Sequence, residues 1–406
     1  MNRYKIGQLL TIKHGFPFKG EFFAQSGEYI ILTPANFYEE GGFKYTIGKE
    51  KFYQGEFPKE YICKKDDLIV AMTQQAEGLL GSTALVPEDD KYLHNQRIGM
   101  ITVNDKITDK NYVNYLFRTP FVRKQIRDTA SGSKVKHTSP EKICEIEVYI
   151  PEIGVQKKIG SLLKALDSKI ENNNKINAEL ELMAKTIYDY WFLQFEFPNE
   201  EGKPYKSSGG KMVWNEELKR EIPEGWEVTT IGDVTVCHDS KRIPLTGNER
   251  EEIKGNIPYY GATGIMGYVN RPIFDGDYVL VAEDGSVMNE KGNPIIQRVS
   301  GKIWVNNHAH VLEPIKNYSC KLLMMILKDI PVAAIKTGSI QMKINQENLN
   351  KVKILDIPNE IKKQINKQFE TIDKMILENN KENQELASLR DFLLPLLMNE
   401  QVGFKE

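Results

Sequence analysis

The chain has 406 residues, in which 54 Lys and Arg stand against 56 Asp and Glu for a formal net charge of −2. This length predicts two or three domains. The balanced charge excludes a uniformly polybasic nucleic-acid binder but leaves room for a local basic patch. No apolar run approaches the roughly 18 residues that a membrane helix needs, and the amino-terminal segment lacks the apolar stretch of a signal peptide. The 4 cysteines are widely spaced and indicate free thiols in a reducing compartment. We therefore expect a soluble cytoplasmic protein without a membrane contact.

The first half of the chain divides into a domain, a helix and a connector. Residues 1–150 combine short β-type runs with a helical segment at Tyr112–Arg127, which predicts a mixed α/β domain. Residues 151–195 have apolar side chains at alternating steps of four and three, the pattern of a long spacer helix with a heptad seam. Residues 196–225 are polar with Gly, Pro and Ser, and this composition is typical of a connector.

The second half repeats this organisation. Residues 226–357 have the same mixed composition and a helical segment at Cys320–Lys328, and residues 358–402 carry a second heptad seam. The predicted fold class is therefore α+β, with two mixed α/β domains separated by two long helices.

An internal repeat relates the two halves, because seam positions recur 206 residues further on. Asn173 and Asn177 interrupt the first seam, and Asn379 and Asn383 interrupt the second at the same places. The order domain, helix, domain, helix predicts an antiparallel coiled coil with pseudo-two-fold symmetry. In that pairing Asn173 lies opposite Asn383 and Asn177 opposite Asn379. A polar layer in an apolar seam sets the register, since a shifted Asn loses its partner.

Motifs of enzyme active sites are missing from the sequence. There is no Walker A motif, no dinucleotide fingerprint and no Asn-Pro-Pro-aromatic element of an amino-methyltransferase. His308 and His310 alternate on a β-type run, but two His residues without a third ligand are a weak metal signal. We predict no catalytic residue, no metal and no cofactor bound by this chain.

A basic segment between Arg118 and Lys136 is the strongest sign of a nucleic-acid contact. Arg123 and Arg127 lie one helical turn apart and share a face, and the small-residue loop that follows can approach phosphates closely. The first copy contributes the predicted DNA-contacting residues Arg118, Arg123, Lys124, Arg127, Ser133, Lys134, Lys136 and His137. The second copy, with a Gly-Ser loop at the equivalent place, contributes Lys336, Ser339, Gln341 and Lys343. Further candidates, mostly suited to base edges, are Gln74, Gln75, Arg97, Tyr260 and Asn307. The alternative interpretation is an ordinary solvated charged surface.

Several stretches of the chain resemble the specificity (S) subunits of type I restriction-modification systems. The similar stretches are Tyr190-Trp191-Phe192 through Phe197-Pro198, Gly202 through Gly210, Ile222-Pro223-Glu224-Gly225-Trp226, Ile257 through Ala262, and Leu389-Arg390-Asp391-Phe392-Leu393-Leu394-Pro395. Glu400 departs from the Gly expected after Met398-Asn399.

This resemblance implies two target-recognition domains that each recognise one half of a split site in double-stranded DNA, with a coiled-coil spacer between them. It implies two methyltransferase (M) subunits and nuclease–translocase (R) subunits as partners. S-adenosylmethionine for adenine-N6 methylation would then bind to the M subunits, and ATP and Mg²⁺ to the R subunits.

Two other classes of function stay open from the sequence. The chain would be a stand-alone DNA methyltransferase or nuclease if it bound S-adenosylmethionine by itself. It would be a coiled-coil scaffold for proteins if DNA binding were absent.

Overall fold

The computed structural model describes residues 1–46, 48–74, 78–133, 135–338 and 342–404. The chain divides into two compact units. Unit 1 comprises Met1–Asn172 and Glu382–Glu406, and unit 2 comprises Asn173–Lys381. Each unit therefore combines one α/β domain with a portion of each long helix, whereas the sequence predicted the helices as segments separate from the domains.

Unit 1 contains short strands and helices before the first long helix. Its strands are β1 (Asn2–Lys5), β2 (Leu10–His14), β3 (Phe23–Ala24), β4 (Tyr29–Ile31), β5 (Phe52–Tyr53), β6 (Leu68–Ala71), β7 (Thr73–Gln74), β8 (Thr83–Leu85), β9 (Tyr92–Leu93), β10 (Ile98–Val103), β11 (Lys136–His137) and β12 (Glu147–Ile150). Its helices are α1 (Ile6–Leu9), α2 (Lys110–Leu116), α3 (Pro120–Asp128), α4 (Pro140–Cys144) and the beginning of α5 (Ile153–Tyr188).

Unit 2 has a larger sheet. Its strands are β13 (Met212–Asn215), β14 (Arg220–Pro223), β15 (Glu227–Thr230), β16 (Thr235–Cys237), β17 (Lys254–Tyr260), β18 (Ile265–Val269), β19 (Phe274–Ala282), β20 (Ile296–Val305), β21 (Ala309–Pro314), β22 (Lys336–Thr337), β23 (Lys343–Ile344) and β24 (Lys353–Asp356). Its helices are α6 (Ile231–Val234), α7 (Gly247–Glu252), α8 (Cys320–Lys328), α9 (Val332–Ile335), α10 (Gln346–Asn350) and the beginning of α11 (Asn359–Met398), which ends in unit 1.

The two units share one topology, as the internal repeat predicts. The main sheet of unit 1 has the strand order β2-β10-β6-β8, and the sheet of unit 2 has β16-β21-β19-β20 followed by β17 and β18. In each unit the first strand of the domain pairs antiparallel with its last strand, β1 with β12 and β15 with β24. The two α/β domains are therefore two versions of one fold. In unit 2 the strands β17 and β18 extend the main sheet, whereas unit 1 has a separate four-stranded sheet of order β3-β5-β4-β9.

A glycine at the same place in each unit lets two short helices pack closely. A Cβ added at Gly7 in α1 would lie 3.0 Å from the Cβ of Cys144 in α4, and one added at Gly232 in α6 would lie 3.0 Å from the Cβ of Asn350 in α10. Larger residues would push the helices apart at both places.

The predicted helix Tyr112–Arg127 is in fact two helices, whereas α8 has the predicted bounds. The break lies at Thr119-Pro120, where the Thr119 hydroxyl accepts a hydrogen bond from the amide of Val122 and caps α3. Proline cannot continue α2 because it has no amide hydrogen, but it is favoured in the first turn of a new helix.

The predicted connector is a folded element. Strands β13 and β14 form an antiparallel hairpin, and the ring of Phe197 stacks on Tyr205 at 4.7 Å and on Trp226 at 4.9 Å between centroids. Phe197 is also part of the core of unit 2. The aromatic residues at the two ends of this polar segment therefore hold it against the domain.

Side chains of both long helices complete the core of each unit. In unit 1 these include Ile159 and Leu163 of α5 and Leu397 of α11. In unit 2 they include Phe369 of α11 and Trp191, in the turn that follows α5. Within the described ranges, no helix is both long enough and apolar enough to span a bilayer.

Polar contacts join the two helices inside each unit. In unit 2 the Nδ2 of Asn379 donates to the Oδ1 of Asn177 at 2.8 Å, which is the predicted contact. Asn173 belongs to unit 2 and Asn383 to unit 1, and their pairing stays a prediction. In unit 1 the carboxylate of Asp167 in α5 accepts hydrogen bonds from the side chains of Arg390, Arg118 and Tyr115 at 2.8, 2.9 and 2.7 Å.

Asp167 should contribute strongly to the stability of unit 1. Asp167→Asn removes the charge partner of two arginines, of which Arg118 has a side chain only 7% exposed. We expect the free energy of unfolding to fall by about 2 kcal/mol, since a half-buried ion pair is broken from one side. Glu382→Gln, which removes an exposed pair with Lys169 at 3.1 Å, should cost less than about 1 kcal/mol. Urea denaturation of both variants measures this, and equal losses would contradict it.

The same carboxylate predicts an acid dependence. Burial raises the pKa of Asp167, but Arg118, Arg390 and Tyr115 outweigh burial and hold the pKa below its ordinary value. A lowered pKa in the folded state stabilises the fold above pH of about 4, and this contribution is lost as pH falls further. The Asp167→Asn variant should lack this part of the acid dependence.

Candidate nucleic-acid interface

The small-residue loops of the two copies lie on equivalent β-hairpins. In unit 1, Ser131 forms an antiparallel bridge with His137, and in unit 2 Thr337 pairs antiparallel with Lys343. These pairs stand 206 positions apart, the spacing of the repeat. Gly132 and Gly338 both have positive φ, 102° and 80°, which residues other than glycine rarely adopt. Both copies thus present a short glycine loop at the same place in the fold.

The hairpin of unit 1 follows directly after α3. The amide of Thr138 donates to the carbonyl of Met72 at 3.0 Å, and the hydroxyls of Thr129 and Thr138 lie 2.7 Å apart. His137 contacts the hydroxyl of Thr73 through its Nδ1 at 3.0 Å. These hydrogen bonds fix the hairpin beside the carboxyl end of the helix.

Five of the predicted contact residues of unit 1 are exposed at this hairpin and on α3. They are Lys124, Arg127, Ser133, Lys136 and His137. Lys134 lies outside the described residues. Three cations on adjacent exposed elements are an arrangement suited to phosphate groups.

Two arginines of the basic segment have a different position from the predicted one. Arg123 is only 7% exposed and donates hydrogen bonds to the backbone carbonyls of Gly78 and Glu39. Burial lowers the pKa of its guanidinium to about 10, with a further contribution from Arg127. Arg118 is buried on Asp167 and stacks over the ring of Tyr115, with its guanidinium carbon 4.6 Å from the ring centroid. The expectation that Arg123 shares an exposed face with Arg127 is therefore corrected, and both buried arginines stabilise the domain.

Among the candidates for base edges, Gln74 is also buried. It is 3% exposed, and its Oε1 accepts a hydrogen bond from the amide of Leu80 at 2.8 Å. The side chain is therefore engaged inside unit 1, which corrects the prediction of a base contact. Arg97 is exposed, and Gln75 is outside the described part of the chain.

In unit 2, Lys336, Lys343 and Asn307 are exposed. Tyr260 is half-buried, and burial raises the pKa of its hydroxyl. Ser339 and Gln341 lie outside the residues that the structure describes. Lys343 forms an ion pair with Glu283 at 2.8 Å, so one predicted phosphate contact is already held by an acidic side chain.

Of a buried group of charged residues beneath this hairpin, sequence reasoning singled out His310 and missed the others. Asp239, Glu283 and His310 come from distant parts of the sequence and meet with Arg242. The ligand atoms of Cys237, Asp239 and His310 lie within 4.8 Å of one another and could surround a metal ion. The nearby guanidinium favours ion pairs instead, since it neutralises the carboxylates that a metal would use. No local pattern in the sequence could have indicated this group.

Comparison with known proteins identifies the family. The chain matches the family model described as the type I restriction modification DNA specificity domain over residues 1–182 and 223–388. The chain belongs to this family. The two matched regions correspond to the two copies of the repeat, and the specificity subunit is a non-catalytic component of its restriction-modification system.

Individual relatives agree with this assignment. The specificity subunit of the type I restriction enzyme MjaIX from Methanocaldococcus jannaschii is 27% identical over 331 residues, which cover 77% of this chain and 73% of that protein. The HindI specificity subunit of Haemophilus influenzae is 21% identical over 409 residues, covering 84% and 87% of the two chains. Among solved structures, the type I S subunit from M. genitalium has a TM-score of 0.58 at 17% identity, covering 98% of this chain and 95% of that one. This specificity subunit therefore shares the fold of that S subunit.

The different positions of Arg123 and Arg127 predict different effects of their removal. Arg123→Ala removes a buried guanidinium and the donor of two backbone carbonyls, and we expect a loss of about 2 kcal/mol in the free energy of unfolding. Arg127→Ala, one turn further on an exposed surface, should change it by less than about 0.5 kcal/mol. Urea denaturation compares the two variants. If the two variants were equally stable and Arg123→Ala lost DNA affinity, Arg123 would be a phosphate contact after all.

Proposed function

We propose that this specificity subunit recognises a split target in double-stranded DNA, with the domain of each unit recognising one half-site. The observation that carries this proposal is the repeated hairpin, since two copies of one fold each present a glycine loop next to exposed cations. Two equivalent binding surfaces on one chain match a target with two separate halves.

In this proposal the DNA contacts divide between positioning and base recognition. Lys124, Arg127 and Lys136 in the first domain bind phosphates, as does Lys336 in the second, whereas Lys343 is held by Glu283. The remaining contact candidates are Ser133, His137, Arg97, Tyr260 and Asn307, together with Gln75, Lys134, Ser339 and Gln341, which lie outside the described residues.

The long helices α5 and α11 form an antiparallel coiled coil that sets the gap between the half-sites. The hydrogen bond between Asn379 and Asn177 in unit 2 supports this arrangement, as does the ion pair between Arg390 and Asp167 in unit 1. A rod of fixed length would determine the spacing without contacting the bases between the halves.

The helices also provide docking positions for two methyltransferase subunits. Apolar side chains remain exposed on them: Leu182 (65%) and Met183 (54%) in unit 2, and Leu389 (45%) and Phe392 (65%) in unit 1. Met183 and Leu389 occupy the same position of the repeat. Exposed apolar side chains at equivalent places support one docking site in each copy.

Catalysis then belongs to the partners. The M subunits bind S-adenosylmethionine and methylate adenine N6, and the R subunits use ATP and Mg²⁺ to cut DNA. The specificity subunit contributes neither cofactor site nor acid–base pair.

Replacing one recognition domain tests this proposal. The chain is co-expressed with its M subunits, and methylated adenines are mapped across the host genome. Exchanging residues 1–150 for the domain of another specificity subunit should change one half-site and leave the gap and the other half-site unchanged. Changes in both half-sites or in the gap would contradict the assignment, and methylation by the chain without its partners would favour a stand-alone enzyme.

The phosphate contacts of unit 1 can be tested by charge removal. Combined replacement of Lys124, Arg127 and Lys136 with Ala should weaken binding to all DNA sequences alike. The slope of log affinity against log salt should fall by about 2–3, because roughly 0.9 counterion is released per phosphate contact.

The matched control removes three exposed lysines of the same unit that pair with acidic residues. These are Lys5, Lys64 and Lys91, paired with Glu145, Asp90 and Glu88 at 2.6, 2.6 and 2.8 Å. Fluorescence anisotropy across a salt series measures both triple variants. Equal slopes for the two would show that the charges of the candidate surface have no special part in binding.

A further inference from the structure

The hairpin of unit 2 is anchored to the sheet by a network of buried charged groups. The strand pair β22 and β23 carries the loop, and Ile344 is its last residue. The amide of Ile344 donates to the backbone carbonyl of Glu283 at 2.8 Å, and its carbonyl faces the Nε2 of His310 at 3.0 Å. Both backbone groups of Ile344 thus bond to the two residues at the centre of the network.

His310 is held between two oxygen acceptors. It is 2% exposed, and its Nδ1 lies 2.5 Å from the carboxylate of Asp239. The second carboxylate oxygen of Asp239 accepts from the amide of Val311 at 3.0 Å. Each nitrogen of the ring thus faces an oxygen acceptor, one from a side chain and one from the backbone. His310 therefore connects the hairpin carbonyl to a carboxylate that is itself fixed by the sheet.

Glu283 connects Lys343 of the hairpin to Arg242. Its carboxylate pairs with Arg242 at 2.6 Å on one oxygen and with Lys343 at 2.8 Å on the other. Arg242 also donates to the carbonyl of Ala309 at 2.7 Å. Burial raises the pKa of Glu283, but Lys343 and Arg242 outweigh burial and hold the pKa below its ordinary value.

The corresponding hairpin of unit 1 lacks these charges among the described contacts. There the amide of Thr138 makes the equivalent backbone bond, and the side-chain contact is between Thr73 and His137. The two copies thus keep the same backbone bond but support it differently. Charge-assisted hydrogen bonds are stronger and more directional than neutral ones, so the position of the second hairpin depends on the ionic groups.

We propose that His310 and Glu283 are positioning residues for DNA recognition by unit 2: through Ile344 and Lys343 they hold the hairpin that presents the second glycine loop. This inference rests on the proposed function. It names the residues that determine specificity for the second half-site without contacting DNA. Misplacing the loop reduces discrimination between bases, because hydrogen bonds to base edges tolerate little displacement.

The test uses two conservative substitutions and their nearest neighbours as controls. Glu283→Gln keeps the backbone bond to Ile344 but removes the charge, and Asp284→Asn makes the same change at the next residue, whose partner is the exposed His308. His310→Gln removes the ring that joins Asp239 to Ile344, and His308→Gln is its control. Each variant is assembled with the M subunits and assayed for methylation of duplexes with single base changes in either half-site.

The wild-type complex is measured first. If it methylates a split site, the proposed function holds whatever the variants do, and if it does not, the proposed function is wrong. The two network variants should then lose about tenfold or more of their discrimination at the second half-site and none at the first. The two controls should keep both. A role in stability alone would lower total methylation without changing the ratio between correct and altered sites, and this result would overturn the inference.

Hydrogen exchange on the purified chain gives a readout that does not need DNA. The amides of the hairpin should exchange faster in Glu283→Gln than in Asp284→Asn, while the rest of unit 2 stays protected. Loss of the whole fold of unit 2 in both network variants would mean that the network stabilises the core, and would overturn the inference. About one zinc ion per purified wild-type chain would overturn it as well, since the metal would then occupy the Nδ1 of His310.

Discussion

The structure depends on the fact that neither α/β domain closes its own core. Unit 1 is completed by Ile159 and Leu163 of α5 and by Leu397 of α11, and unit 2 by Phe369 of α11 and by Trp191 after α5. Burial of this apolar surface is the main driving force for packing the helices on the domains. A helix that belongs to both cores cannot be moved or shortened without exposing apolar side chains at one end or the other. The spacer is therefore part of the fold of each domain as well as a connection between domains.

An aspartate at the same position of each copy fixes the orientation in which the helix packs on its domain. Asp167 of α5 binds Arg118 from its domain, and Asp373 of α11 binds Arg298 from β20 at 2.8 Å. Apolar contacts tolerate rotation of a domain on a helix, whereas an arginine–carboxylate pair fixes one orientation. The copies differ in detail, since Arg390 gives Asp167 a second arginine, and Ala184 stands at the equivalent place of the first helix. The two copies thus share the aspartate but take its arginine partner from different elements, since Arg118 follows α2 and Arg298 lies in β20.

Much of the fold could be predicted from local patterns. The bounds of α8 agree with its apolar run, and the contact between Asn177 and Asn379 follows from the register of the two seams. One local prediction was wrong because a single proline outweighed the helical pattern around it: Pro120 divides the segment at Tyr112–Arg127 into two helices. The composition of the connector gave no sign that Phe197 and its aromatic neighbours hold it against the domain.

The candidate site could be predicted only in part, for a different reason. The sequence by itself determined the order of elements, the repeat, the family resemblance and the position of the basic segment, because each of these is a property of neighbouring or regularly spaced residues. Only the tertiary structure decided which cations are exposed. Arg123 and Arg127 have the same chemistry and lie on one helix, yet Arg123 is buried because the carbonyls of Gly78 and Glu39 approach it. His310 likewise has its place because Asp239 and Ile344 meet it from remote parts of the chain. Exposure and charge pairing are set by contacts between residues far apart in sequence, which no pattern along the chain can specify.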